Sequence, residues 1–150
     1  MRRRFCRAET RDTARAMSQE NVEVVLRLTE ANDRRDRDAV FDAYSSDIEW
    51  EDCSGLWGDW GVARGHEGLR AAWRRWFEIF GDVNWQLDRD PIDAGDDVVA
   101  TYRVHGRGRG SGVEVDQRLT LVWSVRDGKI ARVRAYLERT QALEAVGQQE

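Results

Sequence analysis

The sequence predicts an α+β domain, with helices packed on one face of a curved antiparallel or mixed sheet. Three observations carry this. Apolar residues fall at helical spacing over residues 18–44, a second helical pattern rich in aromatics follows over 66–80, and strict alternation sets in over 111–138. Helical patterns ahead of a run of alternating strands are the order in which helices end up on one side of a sheet.

The elements follow in order. Ser18 is a suitable N-cap, and Val22, Val25, Leu26 and Thr29 recur on one face, giving a first helix to about Asn32. After the polar break Asp33-Arg34-Arg35-Asp36, Asp38 caps a shorter helix through Tyr44, with Val40, Phe41 and Tyr44 inward. Ile48, Trp50 and Asp52 alternate with Glu49 and Glu51, so they share one face of a short strand. Residues 54–65 hold Trp57 and Trp60 among glycines without a regular period and read as a loop. It either covers a binding site or closes the open end of a core. From His66 to Phe80, Leu69, Trp73, Trp76, Phe77 and Phe80 form an apolar stripe opposite Arg70, Arg74, Arg75 and Glu78, a core-facing helix ended by Gly81-Asp82. Strands follow at Val83–Leu87 and Asp97–Gly106. Pro91 marks an edge or bulge, and the glycine-rich run from Gly106 to Gly112 is a flexible turn.

The closing hairpin has Leu119, Leu121, Trp123 and Val125 alternating with Arg118, Thr120, Val122 and Ser124. Its turn decides which faces meet. A two-residue Asp127-Gly128 loop would set Trp123 against Arg132. A three-residue loop with Gly128 in a bulge sets Trp123 against Ala131 and Leu121 against Val133, which keeps one face apolar and leaves Arg118, Thr120, Arg132, Arg134 and Tyr136 on the other. The second register is therefore expected.

The totals bound the function. A chain of 150 residues makes one domain with a real core. No run of about 18 apolar residues is present to span a membrane. Cys6 and Cys53 are too few for a disulfide framework, which points to a reducing cytoplasm. Lys129 is the only lysine among 24 basic residues, but a net charge of −4 without a basic, aromatic-interleaved face argues against nucleic acid. Residues 1–16 carry six arginines and two acids, so they are expected to be a disordered basic leader or a misassigned start. The domain itself is expected over 17–147, with a tail at 148–150.

DAVFDAYSSDIEWED, the Gly65-His66-Glu67-Gly68-Leu69 start of the aromatic helix, VWSVRDGKI and the closing QALEAVG together resemble the SnoaL-like branch of the nuclear transport factor 2-like superfamily. The resemblance covers about residues 18–147. It implies a cone-shaped fold whose helices and concave sheet enclose an apolar pocket, and a homodimer through the outer sheet face. The superfamily includes polyketide cyclases, ketosteroid isomerases, epoxide hydrolases and dehydratases, so fold alone does not fix activity. Compared with ketosteroid isomerase, the strand-end general base matches Asp52, whereas the oxyanion tyrosine and oxyanion carboxylic acid fall at Leu28 and Leu121. Loss of one such donor costs about 10²–10³ in rate, which argues against steroid isomerisation of that kind. The Asp–Arg–Asp set of the epoxide hydrolases is not evident, and the aspartate used by SnoaL falls near Ala135.

The expected site follows. Asp52 is the candidate base, because an apolar wall favours the neutral carboxyl and suits it to proton transfer; the alternative is a strand-end aspartate bonding the next loop. His66 is a second acid–base candidate at the pocket mouth, or else a helix-start histidine held by backbone. Tyr44, Trp50, Trp57, Trp60, Trp73, Leu121 and Trp123 are the expected substrate-binding wall. His66 and His105 lie too far apart in sequence for a metal site, and no cofactor is expected. The partners expected are a small apolar or polyketide-like metabolite and a second copy of the chain. A non-catalytic binding module is the other reading.

Overall fold

A computed structural model describes residues 2–55, 61–81, 83–108, 112 and 114–148, with side chains from Ser18 onward. The elements run α1 (Arg2–Asp33), α2 (Arg37–Ala43), β1 (Tyr44–Asp52), β2 (Val62–Arg64), α3 (Gly65–Phe80), β3 (Asn84–Leu87), β4 (Ile92–Ala94), β5 (Asp97–Arg107), β6 (Glu114–Arg126), β7 (Lys129–Tyr136) and α4 (Arg139–Ala145). The strands form one sheet in the order β2-β1-β7-β6-β5-β3, with β4 also on β5. Only β1 and β7 pair in parallel, so the sheet is mixed.

One face carries the main core. Val25 and Leu28 of α1, Val40 of α2 and Leu69 of α3 pack on Ile48, Val98, Ala100, Leu121, Trp123 and Val133. Burying each such side chain contributes about 1.5–3 kcal/mol. The other face is partly covered by α4, whose Ala142 and Leu143 pack on Val99 and Val122. Beyond α4 that outer face is polar, with ion pairs Arg103–Asp116 at 2.9 Å and Arg132–Glu51 at 3.4 Å. Arg118 and Arg134 lie on the same face, as the alternation requires.

The hairpin corrects the expected register while keeping its faces. Arg126 pairs with Lys129, so the loop is the two-residue Asp127-Gly128, with φ of 52° and 74°. Both residues are left-handed, as the tight turn matched to strand twist requires. The pairing then shifts between Ser124 and Val125: Val125 pairs with Ile130 but Ser124 with Arg132, which leaves Ala131 as an extra residue in β7. The bulge brings Val133 opposite Trp123 and Ala135 opposite Leu121, and Arg132 and Arg134 go outward.

Other boundaries move for local reasons. The helix α1 continues back through the basic leader to Arg2, so Ser18 is internal rather than a cap. Asp36, not Asp38, caps α2, its carboxylate accepting from the Ala39 N–H at 3.2 Å. Tyr44 opens β1 instead of closing α2. Within the expected loop, Val62–Arg64 forms β2 on the edge against Glu49–Glu51. Trp57, Trp60, Asp82 and residues 109–111 and 113 of the glycine-rich turn lie outside the described residues.

Candidate functional site

The inward face of the sheet is lined with rings. Val133 pairs with Trp50 on one side and Trp123 on the other, so three adjacent strands present a row Trp50–Val133–Trp123. Trp73 of α3 sits over it, its ring 6.4 Å from Trp50, 6.0 Å from Tyr44 and 5.1 Å from Phe41. Trp123 lies 6.1 Å from Trp50, 6.5 Å from Tyr44 and 6.3 Å from Tyr102, mostly edge to face. These are the separations at which aromatic quadrupoles attract. Tyr44, Trp50, Trp73, Leu121 and Trp123 are thus brought together in one cluster. Tyr44, Leu121 and Trp123 are buried, and Trp50 and Trp73 are half-buried.

The second row is Asp52–Ala135–Leu121. Asp52 is half-buried at the end of β1. Its Oδ1 accepts from the Ser54 N–H at 2.9 Å and from the Ser54 hydroxyl at 2.5 Å, so half of the carboxyl does bond the next loop. Its Oδ2 is buried and has no hydrogen-bond partner among the described residues. A buried acceptor left unpaired costs about 1–3 kcal/mol.

Two phenols complete the interior. The Thr29 hydroxyl donates to the Val25 carbonyl at 2.9 Å, which uses its only proton. The Tyr102 hydroxyl, 2.9 Å from Thr29 Oγ1, is therefore the donor of that pair. Burial pushes Tyr102 up to about 12, against lesser downward pulls from Thr29 and the Trp123 indole. Burial, then the neighbouring Tyr102, pushes Tyr44 well above the ordinary phenol range.

His66 is used differently from an acid–base partner of Asp52. Its Nε2 lies 3.1 Å from the Tyr44 carbonyl, and a carbonyl only accepts, so that nitrogen carries the proton. The ring stands edge-on to Phe41 at 5.7 Å. Tyr44 and Asp52 are opposite ends of β1, about 25 Å apart at strand rise, so His66 and Asp52 do not form one centre. Cys53 is exposed, its thiol pushed up by partial burial and then by Glu51, the reverse of an activated nucleophile. Among the described residues no group of three or more His, Cys, Asp or Glu side chains could hold a metal.

A separate hollow of about 370 Å³ opens at the other end of β1, between Tyr44–Asp47 and the turn residues Arg126, Asp127 and Lys129. Arg126 closes on Asp47 with two hydrogen bonds of 2.7 and 2.8 Å, and Ser45 and then Arg126 hold the Asp47 carboxyl below its usual range. This hollow is polar and remote from Asp52.

A mixed sheet wrapped around an aromatic interior, with four helices, is the cone-shaped fold of nuclear transport factor 2-like proteins. The profile of the SnoaL-like domain family matches residues 25–133, and the chain belongs to that family. No curated protein matches it. Among solved structures, a nuclear transport factor 2-like protein from Burkholderia thailandensis E264 is 28% identical, with a TM-score of 0.69 over 86% of this chain and 98% of its own. Another, of unknown function, from Burkholderia pseudomallei K96243 is 20% identical, with a TM-score of 0.71 over 85% and 97%. TerC, co-crystallised with polyporic acid, is 22% identical, with a TM-score of 0.69 over 86% and 99%. Leu28 and Leu121, the positions to which the sequence resemblance assigns the oxyanion donors of ketosteroid isomerase, are both buried in the core. No local pattern pointed to the interior hydrogen-bond chain of Tyr102 and Thr29, since both read as ordinary strand and helix residues. No helix among the described residues is long and apolar enough to cross a membrane.

Proposed function

We propose that this protein binds a small apolar, polyketide-like metabolite against the aromatic inner face of its sheet, with Asp52 as the base in a proton transfer. The observation that carries the reading is Asp52 Oδ2, a buried oxygen with no hydrogen-bond partner among the described residues, one row along the inner face from Trp50 and Trp123. Such an acceptor is positioned to take a proton from a bound C–H or O–H acid. The TerC structure with polyporic acid supports the choice of ligand class. The same reading includes a cytoplasmic homodimer formed through the polar outer face of the sheet, which sedimentation velocity tests.

The test of catalysis is hydrogen–deuterium exchange at the acidic carbon of 2-tetralone in deuterated buffer, followed by proton NMR. Wild-type protein is expected to accelerate exchange, and Asp52→Asn to abolish it while still binding polyporic acid. Exchange unaffected by Asp52→Asn overturns the assignment of the base. The second reading, binding without turnover, is favoured by one observation: leucines fill both oxyanion positions. Polyporic acid bound by wild type with no exchange above buffer selects it.

A further inference from the structure

Proton transfer from carbon requires that the developing negative charge be held by a donor, and the two donor positions known from the isomerases are leucines here. Among the described residues, the inner face of the sheet offers a donor without a hydrogen-bond acceptor. Trp123 is 3% exposed, and its Nε1 has no hydrogen-bond partner among the described residues. An indole nitrogen only donates, and when buried it ordinarily has an acceptor.

We infer that Trp123 Nε1 is the hydrogen-bond donor to the ligand's oxygen, so that the site takes apolar molecules bearing a carbonyl. This inference rests on the ligand-binding reading above and deepens it. Three features support it. Tyr102 lies beside the indole, its ring 6.3 Å away and near enough for the indole to pull the phenol down, yet the indole N–H does not reach hydrogen-bond geometry with it; Thr29 takes the Tyr102 proton and fixes that phenol in place. The indole ring itself is locked, with Tyr44 stacked on it at 6.5 Å and Trp50 edge-on at 6.1 Å, so its N–H has a set direction. Finally, Trp123 and Asp52 stand in adjacent rows of the same inner face, two strands apart, about 12 Å between backbones at sheet spacings. A fused-ring body spans that interval, with its oxygen at the indole and its acidic hydrogen towards Asp52 Oδ2. In the balanced step the substrate's C–H bond breaks, its proton goes to Asp52, and its electron pair moves onto the carbonyl oxygen held by Trp123.

The test compares two near-isosteric probes, 2-acetylnaphthalene and 2-isopropenylnaphthalene, in which a C=CH₂ replaces the C=O. Binding to the full-length protein is followed by proton–nitrogen NMR of the indole groups, with Trp123 assigned through its own ring correlations. The ketone is expected to bind about tenfold tighter, the scale of one buried hydrogen bond. It is also expected to move the Trp123 indole proton downfield, and the alkene to leave it in place. Trp123→Phe is expected to bring the two affinities together. Equal affinities with an unmoved Trp123 resonance overturn this inference alone, whereas failure of wild type to bind either probe overturns the binding reading beneath it. Should Trp123→Phe not fold, Tyr102→Phe decides: the ketone-induced shift is expected to persist. An indole proton that already moves upfield in ligand-free Tyr102→Phe would show that Trp123 serves Tyr102, and the inference fails.

Discussion

The link between α1 and the inner face of the sheet can be measured by replacing Thr29 with valine. Thr29 is 9% exposed and Tyr102 is 2% exposed, so water does not replace a lost partner. The direction of the chain, from the Tyr102 hydroxyl to Thr29 and from Thr29 to the Val25 carbonyl, makes the two ends unequal. Thr29→Val strands the buried Tyr102 proton, at about 1–3 kcal/mol. Tyr102→Phe removes a donor from an oxygen that still donates to Val25, and is expected to cost about 0.5–1.5 kcal/mol. In the double variant no hydroxyl is left stranded, so its destabilisation falls short of the summed single effects by about 1 kcal/mol. Urea unfolding followed by far-ultraviolet circular dichroism reads all four corners of the cycle, with the m-value required to stay constant. At a domain of this size Thr29→Val should also lower Tm by roughly 4–8 °C, taking about 2 kcal/mol. Additivity of the two changes within about 0.5 kcal/mol would refute the directed bond.

Alkaline pH probes the same interior. Tyr102 titrates near 10 when unfolded but is pushed up to about 12 when folded, so its contribution is complete below pH 10 and is lost as pH rises through 12. The amount is about 3 kcal/mol, and Tyr44 shifts in the same direction. Unfolding free energy measured across that interval should fall, and the phenolate absorbance of these two tyrosines should appear only with loss of structure; phenolate formation in the native protein near pH 10 contradicts it. Gly106 is a close-approach position, since a Cβ there would lie 2.9 Å from Val83 Cγ1 and 3.0 Å from Val83 Cα. Gly106→Ala is expected to destabilise by about 1–3 kcal/mol. Val83→Ala relieves only the methyl contact, so the double variant should recover part of the loss, and an unchanged urea midpoint for Gly106→Ala would rule out the crowding.

Side-chain period was legible and backbone detail was not. Alternation placed Ile48, Trp50 and Asp52 on the inner face and Arg118, Arg132 and Arg134 on the outer one. The route to those faces was misread, because an extra residue in a strand leaves no mark in composition: Ala131 looks like any other small strand residue. Asp36 and Asp38 are equally good caps by type, and only the carboxylate aimed at Ala39 distinguishes them. A three-residue strand such as β2 is too short to show a period between glycines. At the site, residue type left His66 either an acid–base candidate or a helix-start histidine held by backbone, and the Tyr44 carbonyl that it bonds lies far from it in sequence, a long-range contact no local pattern announces. The unpaired atoms of Asp52 and Trp123 were equally hidden, since whether a polar atom is satisfied is a property of its surroundings.

The extra residue in β7 has a consequence for which side chains the sheet can turn inward. Deleting Ala131 would only iron out the bulge, leaving Arg132 opposite Ser124 and Val133 opposite Trp123, whereas pairing Ala131 in a regular ladder would turn Val133 and Ala135 out to water and Arg132 and Arg134 in against the indoles. The pairing of β1 with β7 also slips between Tyr44 and Glu49, beside the same turn, so the irregularity is shared by neighbouring strands. The bulge, rather than any residue on the face itself, thus decides whether the inner side of β7 is greasy or cationic.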